Sequence, residues 1–184
     1  MQSVKEKQNK TYEAMKGDFE YKNPFQSPRL VKVVVSTGTG SSKDRNKNDF
    51  VMDRLAKITG QKPTLRSAKK SIASFKLREG DPIGVTVTLR GNAMMKFIDK
   101  LLNVALPRTK DFRGLSKKSI DHMGNYTMGI REHTVFTETS DEELKDVFGL
   151  SITFVTTAEN SKEAEAFLTH LGLPFHEEVI AKKK

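Results

Sequence analysis

The sequence predicts an α+β fold in which helices cover one face of a mainly antiparallel sheet and leave the other face free. Three observations lead to this prediction. Stretches with two-residue alternation are interspersed with stretches of helical periodicity. Consecutive strands can pair as neighbours, and no break in composition divides the 184 residues. At this length we expect a single domain, residues 1–184, with one hydrophobic core.

The first third of the chain predicts a helix, a strand and a second helix. Residues 1–22 form a polar helix, which "NPFQSP" ends. In the strand "RLVKVVVS", side chains alternate between two faces. We expect the core face to carry Val31, Val33 and Val35, and the opposite, more polar face to carry Lys32, Val34 and Ser36. After the polar loop "TGTGSSKDRNKND", a helix carries Phe50, Val51, Leu55 and Ile58. Gly60 suits the position just beyond its end.

The remainder of the chain predicts three more strands and two more helices. "IGVTVTLRG" is the clearest strand, and its polar row contains Gly84, Thr86, Thr88 and Arg90. A helix from about Asn92 should end at Pro107. Strands "YTMGIREHTVF" and "LSITFVTTA" bracket the acidic "TETSDEELKDV". A last helix, from about Ser161 to Leu171, has Asn160 and Glu163 at capping-box spacing, and His170 is placed to cap its C-terminus. We expect residues 176–184 to be a flexible tail.

The formal charge of +9 is concentrated in the middle of the chain. Of the 32 Lys and Arg residues, 14 lie between Lys62 and Lys118, where only 4 of the 23 Asp and Glu residues occur. This segment therefore carries +10, and the rest of the chain carries −1. A localised positive field attracts polyanions, most often nucleic acid, although a solvated basic face is the alternative.

The composition also limits location and chemistry. The absence of cysteine excludes disulfides and thiolate chemistry and fits an intracellular protein. The longest apolar runs, such as "VVV" at 33–35, are too short to span a bilayer, and "MQSVKEKQNK" lacks the apolar segment of a signal peptide. We therefore expect a cytoplasmic protein with no membrane partner.

No motif supports catalysis, metal binding or a cofactor. In "STGTGSSK", Gly38 and Gly40 follow a strand, but neither the phosphate-loop nor the dinucleotide spacing is completed. The four histidines are not spaced as a helical metal pair. The carboxylates cluster at predicted helix starts, where they favour the helix dipole. We expect a non-enzymatic protein with no metal and no cofactor.

Two irregular basic segments favour RNA binding. The first, here called the central arm, is "KKSIASFKLREGDPIG" (Lys69–Gly84). The second, here called the second loop, is "RTKDFRGLSKKSIDHMGNY" (Arg108–Tyr126), which is longer than a compact domain normally contains without a purpose. These segments contain three aromatic residues, Phe75, Phe112 and Tyr126. For each ring two roles are open: stacking on an RNA base or packing in the core. Loops that carry charge and bury little apolar surface commonly bind a partner.

These segments resemble a known family. "TGQKPTLRSAKKSIASFKLREGDPIGVTVTLRG", "ALPRTKDFRGLSKKSIDHMGNYTMGIREHTVF" and "VTTAENSKEAEAFLTHLGLPF" closely resemble the bacterial form of the universal large-subunit ribosomal protein five family, whose members bind 5S ribosomal RNA. The resemblance runs from about Pro28 to Phe175. It implies a structural constituent of the large ribosomal subunit whose sheet face and N-terminal helix bind 5S rRNA in the central protuberance.

The resemblance also implies three groups of contact residues. Those facing 5S rRNA are Lys32, Ser36, Gln61, Lys62, Ser67, Lys69, Thr86, Thr88 and Arg90. The central arm would reach the P-site tRNA through Ser74, Lys76, Arg78, Glu79 and Asp81. The second loop would contact large-subunit rRNA, or a small-subunit head protein in an intersubunit bridge, through Arg108, Lys110, Arg113, Lys117, Lys118 and Asn125. Neighbouring central-protuberance proteins are further expected partners.

The sequence departs from the family pattern at several positions, and two other functions remain open. Ser36 and Thr37 replace an asparagine and a hydrophobic residue, "DHMGNY" replaces "DGRGNY", and "FTET" replaces "FPEI". One alternative is a free-standing RNA chaperone. The other is a nucleic-acid-processing enzyme with a basic groove, which requires a carboxylate cluster. The acids of the basic segment are scattered: Glu79, Asp81, Asp99 and Asp111.

Overall fold

A computed structural model of the chain describes residues 3–40, 45–110, 112–139 and 147–176, with residues 45 and 46 described by their backbone alone. Within these ranges, antiparallel strands form one sheet in the order β2-β3-β1-β5-β4. The strands are β1 (Leu30–Gly38), β2 (Thr64–Ser67), β3 (Pro82–Leu89), β4 (Tyr126–Ile130) and β5 (Leu150–Thr156). The helices are α1 (Val4–Asn9), α2 (Thr11–Phe19), α3 (Arg45–Thr59), α4 (Gly91–Lys100), α5 (Leu106–Arg108) and α6 (Ser161–Leu171). This is the predicted α+β architecture.

One face of the sheet is buried under the helices. Side chains of β5 alternate strictly between buried and half-buried, as the two-residue period of a one-sided sheet requires. The strand registers align the buried positions, so that Val87, Val35, Ile152 and Met128 follow one another across four strands. They share one apolar core with residues of the helices, including Val51, Leu55, Phe97, Ile98 and Phe167. Each large side chain buried in this way contributes about 1.5–3 kcal/mol.

A β-bulge near the start of β1 changes the predicted alternation. Leu30 pairs with Thr156 and Lys32 pairs with Val155, so Val31 is an extra residue without a partner in β5. The expectation that Val31 faces the core is therefore wrong, and its side chain is 43% exposed. From Lys32 onward the predicted alternation is confirmed, because Val33 and the residues spaced two apart from it are buried.

The helix that follows β3 continues past Pro107. α4 leads directly into a π-helical turn, Leu101–Ala105, and then into α5, which ends at Arg108. In the π-helical turn the Leu106 N–H donates to the Leu101 carbonyl, so the hydrogen-bond ladder has already shifted before the proline. A widened ladder tolerates the missing N–H and the ring of proline. The predicted end at Pro107 is thus corrected to Arg108.

β4 is shorter than predicted. "YTMGIREHTVF" is a strand only as far as Ile130, and His133–Val135 forms a 3-10 turn. The buried His133 ring stacks on Phe148 with ring centroids 4.0 Å apart, and the His133 N–H donates to the Phe148 carbonyl at 3.1 Å. These contacts hold the chain in a turn instead of a strand. Most of the acidic stretch that follows, residues 140–146, lies outside the described residues.

The predicted helix over residues 1–22 is instead two helices, α1 and α2, the second of which ends at Phe19, and contacts distant in sequence fix α1 to the body. The Val4 N–H donates to the Asp99 carboxylate at 2.9 Å. The Lys7 ammonium donates to the Leu171 carbonyl at 3.0 Å, and the His170 ring contacts the Lys7 carbonyl at 2.8 Å. Lys7 therefore caps the C-terminus of α6, the role that the sequence suggested for His170.

The start of α6 is capped differently from the predicted box. Asn160 accepts from the Glu163 N–H at 2.9 Å, as predicted. The Glu163 carboxylate, however, accepts from the Glu159 N–H at 2.8 Å and from the Tyr21 hydroxyl instead of returning to Asn160. Burial and this hydrogen bond to Glu163 raise the pKa of the Tyr21 phenol. The carboxylate thus joins the segment after α2 to the helix layer.

The described helices include none that is both long enough and apolar enough to cross a membrane. His176, the first residue of the predicted tail, donates its N–H to the Leu115 carbonyl at 2.8 Å, and residues 177–184 lie outside the described part of the chain.

Two glycines provide a matched test of this packing. At Gly124, where φ is +73°, an added Cβ would lie 2.8 Å from both the Cβ and the carbonyl oxygen of Ala158. At Gly17, an exposed position of α2, an added Cβ meets nothing within 4 Å. We expect Gly124→Ala to lower the free energy of unfolding by about 2 kcal/mol or more. Gly17→Ala should raise it by about 0.5–1 kcal/mol, because alanine is the better helix former. Urea unfolding of the purified protein measures both, and equal effects would contradict the Gly124–Ala158 contact.

Candidate nucleic-acid interface

The sheet face opposite the core is polar and accessible. On β1, Lys32, Val34 and Ser36 are half-buried while their neighbours toward the core are fully buried. On edge strand β4, Thr127 and Gly129 are exposed. We call this surface the open face.

Short hydroxyl side chains form rows across the open face. One row, given by the strand registers, contains Thr64, Thr86, Ser36 and Ser151. The next row contains Thr88, Val34, Thr153 and Thr127, and the hydroxyls of the last two are 3.0 Å apart. Adjacent strands lie about 4.8 Å apart, so side chains recur at that interval along each row, and Val34 interrupts the hydroxyls of the second row. Ser and Thr hydroxyls both donate and accept, which suits phosphate oxygens and ribose 2′-hydroxyls.

Cations meet these rows at one end of the sheet. The Gln61 side chain donates to the Thr88 carbonyl at 3.3 Å, which places the entry to β2 beside the end of β3. Val33 pairs with Leu89, so the residues next to them, Lys32 and Arg90, reach the same end. We call this group the sheet-end cluster, and its members are Lys32, Gln61, Lys62, Thr88 and Arg90. Among the described residues, none of its three cations has a carboxylate partner.

The other residues predicted to face 5S rRNA lie elsewhere. Ser67 pairs with Pro82 at the opposite end of β2, and Lys69 follows it into the central arm; both are exposed. Thr86 belongs to a hydroxyl row but is only 8% exposed, because β2 and β1 flank it. Its hydroxyl donates to the Val35 carbonyl at 3.3 Å, so this side chain is used within the sheet.

The structure adds open-face residues that the sequence reasoning did not select. Arg66 is exposed opposite Gly84, which in turn lies opposite Gly38, so no side chain covers the guanidinium from the neighbouring strands. Alternation in "QKPTLRS" already places Arg66 on the same side as Lys62. The same alternation in "LSITFVT" identifies Ser151 and Thr153, but their place beside β1 requires the strand order.

The central arm is a hydrogen-bonded hairpin with an exposed tip. Ile72 and Leu77 exchange two backbone hydrogen bonds of 3.0 and 3.1 Å, on either side of the 3-10 turn Ala73–Phe75. The Asp81 carboxylate accepts from the Arg78 N–H at 2.8 Å, and Ser71 accepts from the Glu79 N–H at 2.9 Å. Asp81 therefore stabilises the arm. The predicted contact residues that are exposed at or near the tip are Ser74, Lys76, Arg78 and Glu79.

The second loop is fastened to the C-terminal segment. The Leu115 N–H donates to the Pro174 carbonyl at 2.8 Å. Tyr126 is buried against Phe175 in an edge-on contact with ring centroids 5.3 Å apart, and burial raises the pKa of Tyr126 to about 12. Phe112 also packs against the core. Tyr126 therefore belongs to the core, and Phe112 is partly buried against it.

The cations of the second loop differ in their surroundings. The Lys117 ammonium lies 2.7 Å from the Glu165 carboxylate. The Asn125 amide donates to Asp121 at 2.9 Å, so this side chain is engaged in a turn of the loop. The remaining predicted residues of this group are exposed, namely Arg108, Lys110, Arg113 and Lys118.

Two family models match most of the chain. The model described as "Ribosomal protein L5" matches residues 23–78, and the one that describes the C-terminus of the same ribosomal family matches residues 82–175. The chain is 48% identical over 169 residues to the large ribosomal subunit protein uL5 of Trichlorobacter lovleyi, covering 91% of this chain and 94% of the relative. It is 47% identical over 176 residues to uL5 of Anaeromyxobacter sp. (strain K), covering 95% and 98%.

The chain belongs to the ribosomal protein L5 family. It is therefore a structural, non-enzymatic constituent of the large ribosomal subunit, which confirms the predicted class and the predicted location on the ribosome in the cytoplasm. This membership also removes the nucleic-acid-processing enzyme as an alternative.

The two segments of the chain that match the L5 family models form a single sheet. The first contains β1 and β2, and the second contains β3, β4 and β5. β3 pairs with both strands of the first match, and β5 pairs with β1. The open face therefore exists only when both parts of the L5 sequence fold together.

A carboxylate organises the turn formed by "DHMGNY" (residues 121–126). Asp121 accepts from the N–H groups of Met123 and Asn125 at 3.0 and 2.7 Å, in addition to the Asn125 amide. The hydrogen bond from the Asn125 side chain is the main factor that lowers the pKa of Asp121. The turn leaves Met123 exposed at the surface.

The lowered pKa of Asp121 predicts a pH-dependent stability difference. A carboxyl group whose pKa is lower in the folded state stabilises the fold above its unfolded pKa, about 3.9, and loses this contribution as pH falls through the folded pKa. We expect Asp121→Asn to lower the free energy of unfolding by only about 0.5 kcal/mol at pH 7, because bonds to a charged acceptor are lost but solvent screens this exposed group. The difference from wild type should shrink below about pH 4. Urea unfolding between pH 3 and 7 measures it, and a difference independent of pH would contradict this role of the charge.

Proposed function

We propose that the chain binds 5S ribosomal RNA through the open face and the sheet-end cluster. One observation carries this proposal. Rows of hydroxyl side chains on an accessible sheet face end beside three cations, and no carboxylate of the described residues neutralises those cations. Such a surface can neutralise phosphates and bond to ribose at the same time. The large-subunit membership of the family adds support, because it makes ribosomal RNA the available polyanion.

The cations and the hydroxyl side chains contribute differently to recognition. Lys62 and Arg90, both exposed, supply attraction that depends on salt, because neutralising phosphates releases counterions. The hydroxyl rows are held at fixed spacing by the sheet and supply fit to a folded RNA backbone. Gln61 retains its amide oxygen as an acceptor for RNA while its nitrogen bonds to Thr88. RNA bound here need not reorganise the protein, because the rows lie directly above the buried core.

We also propose that the central arm reaches the P-site tRNA and that the second loop contacts large-subunit rRNA or a small-subunit head protein. The arm extends between β2 and β3 with its cations exposed, and its hydrogen bonds keep it extended. In the second loop Arg108, Lys110 and Arg113 are exposed. This loop is a different segment of the chain from those that supply the sheet-end cluster. Neighbouring central-protuberance proteins are the remaining proposed partners.

Replacing single cations of the sheet-end cluster tests the 5S proposal. We expect Lys62→Gln and Arg90→Gln each to weaken 5S rRNA binding about 5- to 30-fold and to reduce the salt slope by about 1. Lys162→Gln is the matched control, because Lys162 is exposed on α6 in the helix layer. Filter binding across a salt series measures all three. Unchanged affinity for both cluster variants would refute the assignment of this face.

The same salt series separates specific binding from general basicity. A preference for 5S rRNA over an unrelated structured RNA of similar length should persist at about 0.2 M salt. Equal binding that collapses for both RNAs would favour the free-standing RNA chaperone.

Variants of the central arm test the tRNA proposal independently. We expect Lys76→Gln and Arg78→Gln to leave 5S binding within about 2-fold, because they lie away from the sheet-end cluster, and to speed release of P-site tRNA about 5-fold each through loss of a phosphate contact. Ribosomes assembled with each variant provide the release rates. Loss of the 5S complex in these variants would show that the arm belongs to the 5S site.

A further inference from the structure

A large aromatic ring lies exposed at the tip of the central arm. Phe75 ends the 3-10 turn of the arm and is 77% exposed, and Ile72 beside it is also exposed. The fold gains little from this ring, because most of its surface faces water instead of the core. The two other aromatics of the basic segments, Phe112 and Tyr126, are accounted for by packing.

Backbone hydrogen bonds fix the point of the arm from which the ring projects. Besides the paired Ile72 and Leu77, the Ala68 N–H donates to the Asp81 carbonyl at 2.8 Å and the Gly80 N–H donates to the Ala68 carbonyl at 3.0 Å. A hairpin already formed in this way loses little backbone entropy when its tip binds, which favours affinity.

The residue that follows Phe75 ends the turn in a left-handed conformation. Lys76 has φ +51°, and among the described residues Glu20 is the other non-glycine with positive φ. Glu20 is the C-terminal cap of α2 and Lys76 is the C-terminal cap of the 3-10 turn Ala73–Phe75, a position where this conformation is common. At the arm tip it turns the chain directly after the ring and keeps a cation beside it.

The charge around Phe75 identifies the chemistry of its partner. The exposed cations of the arm are Lys69, Lys70, Lys76 and Arg78, and one of its two carboxylates, Asp81, is hydrogen-bonded to the backbone. An aromatic ring among cations matches a nucleotide, whose base stacks on the ring while its phosphates meet the ammonium and guanidinium groups.

We propose that Phe75 is a stacking platform for an exposed nucleobase, or for the open face of a terminal base pair, in the RNA that the central arm reaches. This inference rests on the proposed function, in which that RNA is the P-site tRNA. The cations of the arm give general attraction to the RNA backbone, and the ring adds a contact that requires a flat base surface. Stacking of one base on an aromatic side chain changes affinity about 5- to 100-fold.

A substitution series at Phe75 tests the stacking contact. Ribosomes are assembled with Phe75→Trp, Phe75→Tyr, Phe75→Leu or Phe75→Ala, and the rate of tRNA release from the P site is measured. We expect the Trp and Tyr variants to match or slow wild-type release, because they keep an aromatic face. Leu and Ala should speed it about 5- to 100-fold. Phe25→Ala is the matched control, because Phe25 is 81% exposed but lies in the turn Pro24–Gln26, and it should leave release unchanged.

Two further measurements separate the possible failures. The melting temperature and 5S affinity of every Phe75 variant should equal those of wild type, since the ring is exposed and lies off the sheet-end cluster. If Leu behaves as wild type and only Ala speeds release, the ring contacts an apolar surface, and stacking is refuted. If all Phe75 variants match wild type while Lys76→Gln and Arg78→Gln speed release, the arm reaches tRNA without stacking. If none of these variants changes release, the arm proposal and the stacking proposal both fail.

Discussion

The sheet is buried on one face only, and the positions of the candidate binding residues depend on that constraint. In β1 the side chains of Val33 and Val35 are fully buried, and the residues between and beside them point to the open face. The side-chain period of a strand is two, so a slip of one residue would expose the valines and bury Lys32 and Ser36. The free energy that opposes such a slip is the burial of several aliphatic side chains, each worth about 1.5–3 kcal/mol. The core therefore fixes the register that presents the binding face.

The sequence was sufficient for the elements whose signal is local. Alternation predicted β3 and β5, the polar-face positions of Ser36 and Thr88, and the cations Lys32 and Arg90 on the same face, because a two-residue period needs no knowledge of partners. It failed where pairing decides the outcome. Val31 is exposed because β5 has no residue opposite it, and Thr86 is buried because strands flank it on both sides. The π-helical turn before Pro107 has the apolar spacing of an ordinary α-helix, so periodicity does not distinguish the two.

Aromatic residues illustrate the same limit at the candidate site. Sequence alone treated Phe75, Phe112 and Tyr126 alike, as basic-segment aromatics that either stack on bases or pack in the core. Only the tertiary contacts separate them, because Tyr126 meets Phe175 across a long stretch of chain whereas Phe75 meets solvent. The family resemblance marked the arm residues around Phe75 but not the ring itself. The arm is held mainly by hydrogen bonds within itself and at its base, so its tip can be altered with little effect on the rest of the fold.

Ion pairs with carboxylates reduce the number of lysines that are available to bind RNA. The Lys100 ammonium lies 2.6 Å from the Glu138 carboxylate. Burial acts to raise the pKa of Glu138, but the hydrogen bond from Lys100 helps to outweigh burial, so this pKa lies below its usual value. Lys117 is likewise paired with Glu165. A cation that must first leave a carboxylate gains less from a phosphate, so these two lysines contribute less to salt-dependent affinity than unpaired ones. The positive charge available to RNA therefore lies in the sheet-end cluster, the central arm and the exposed cations of the second loop, and it is smaller than the charge counted along the chain.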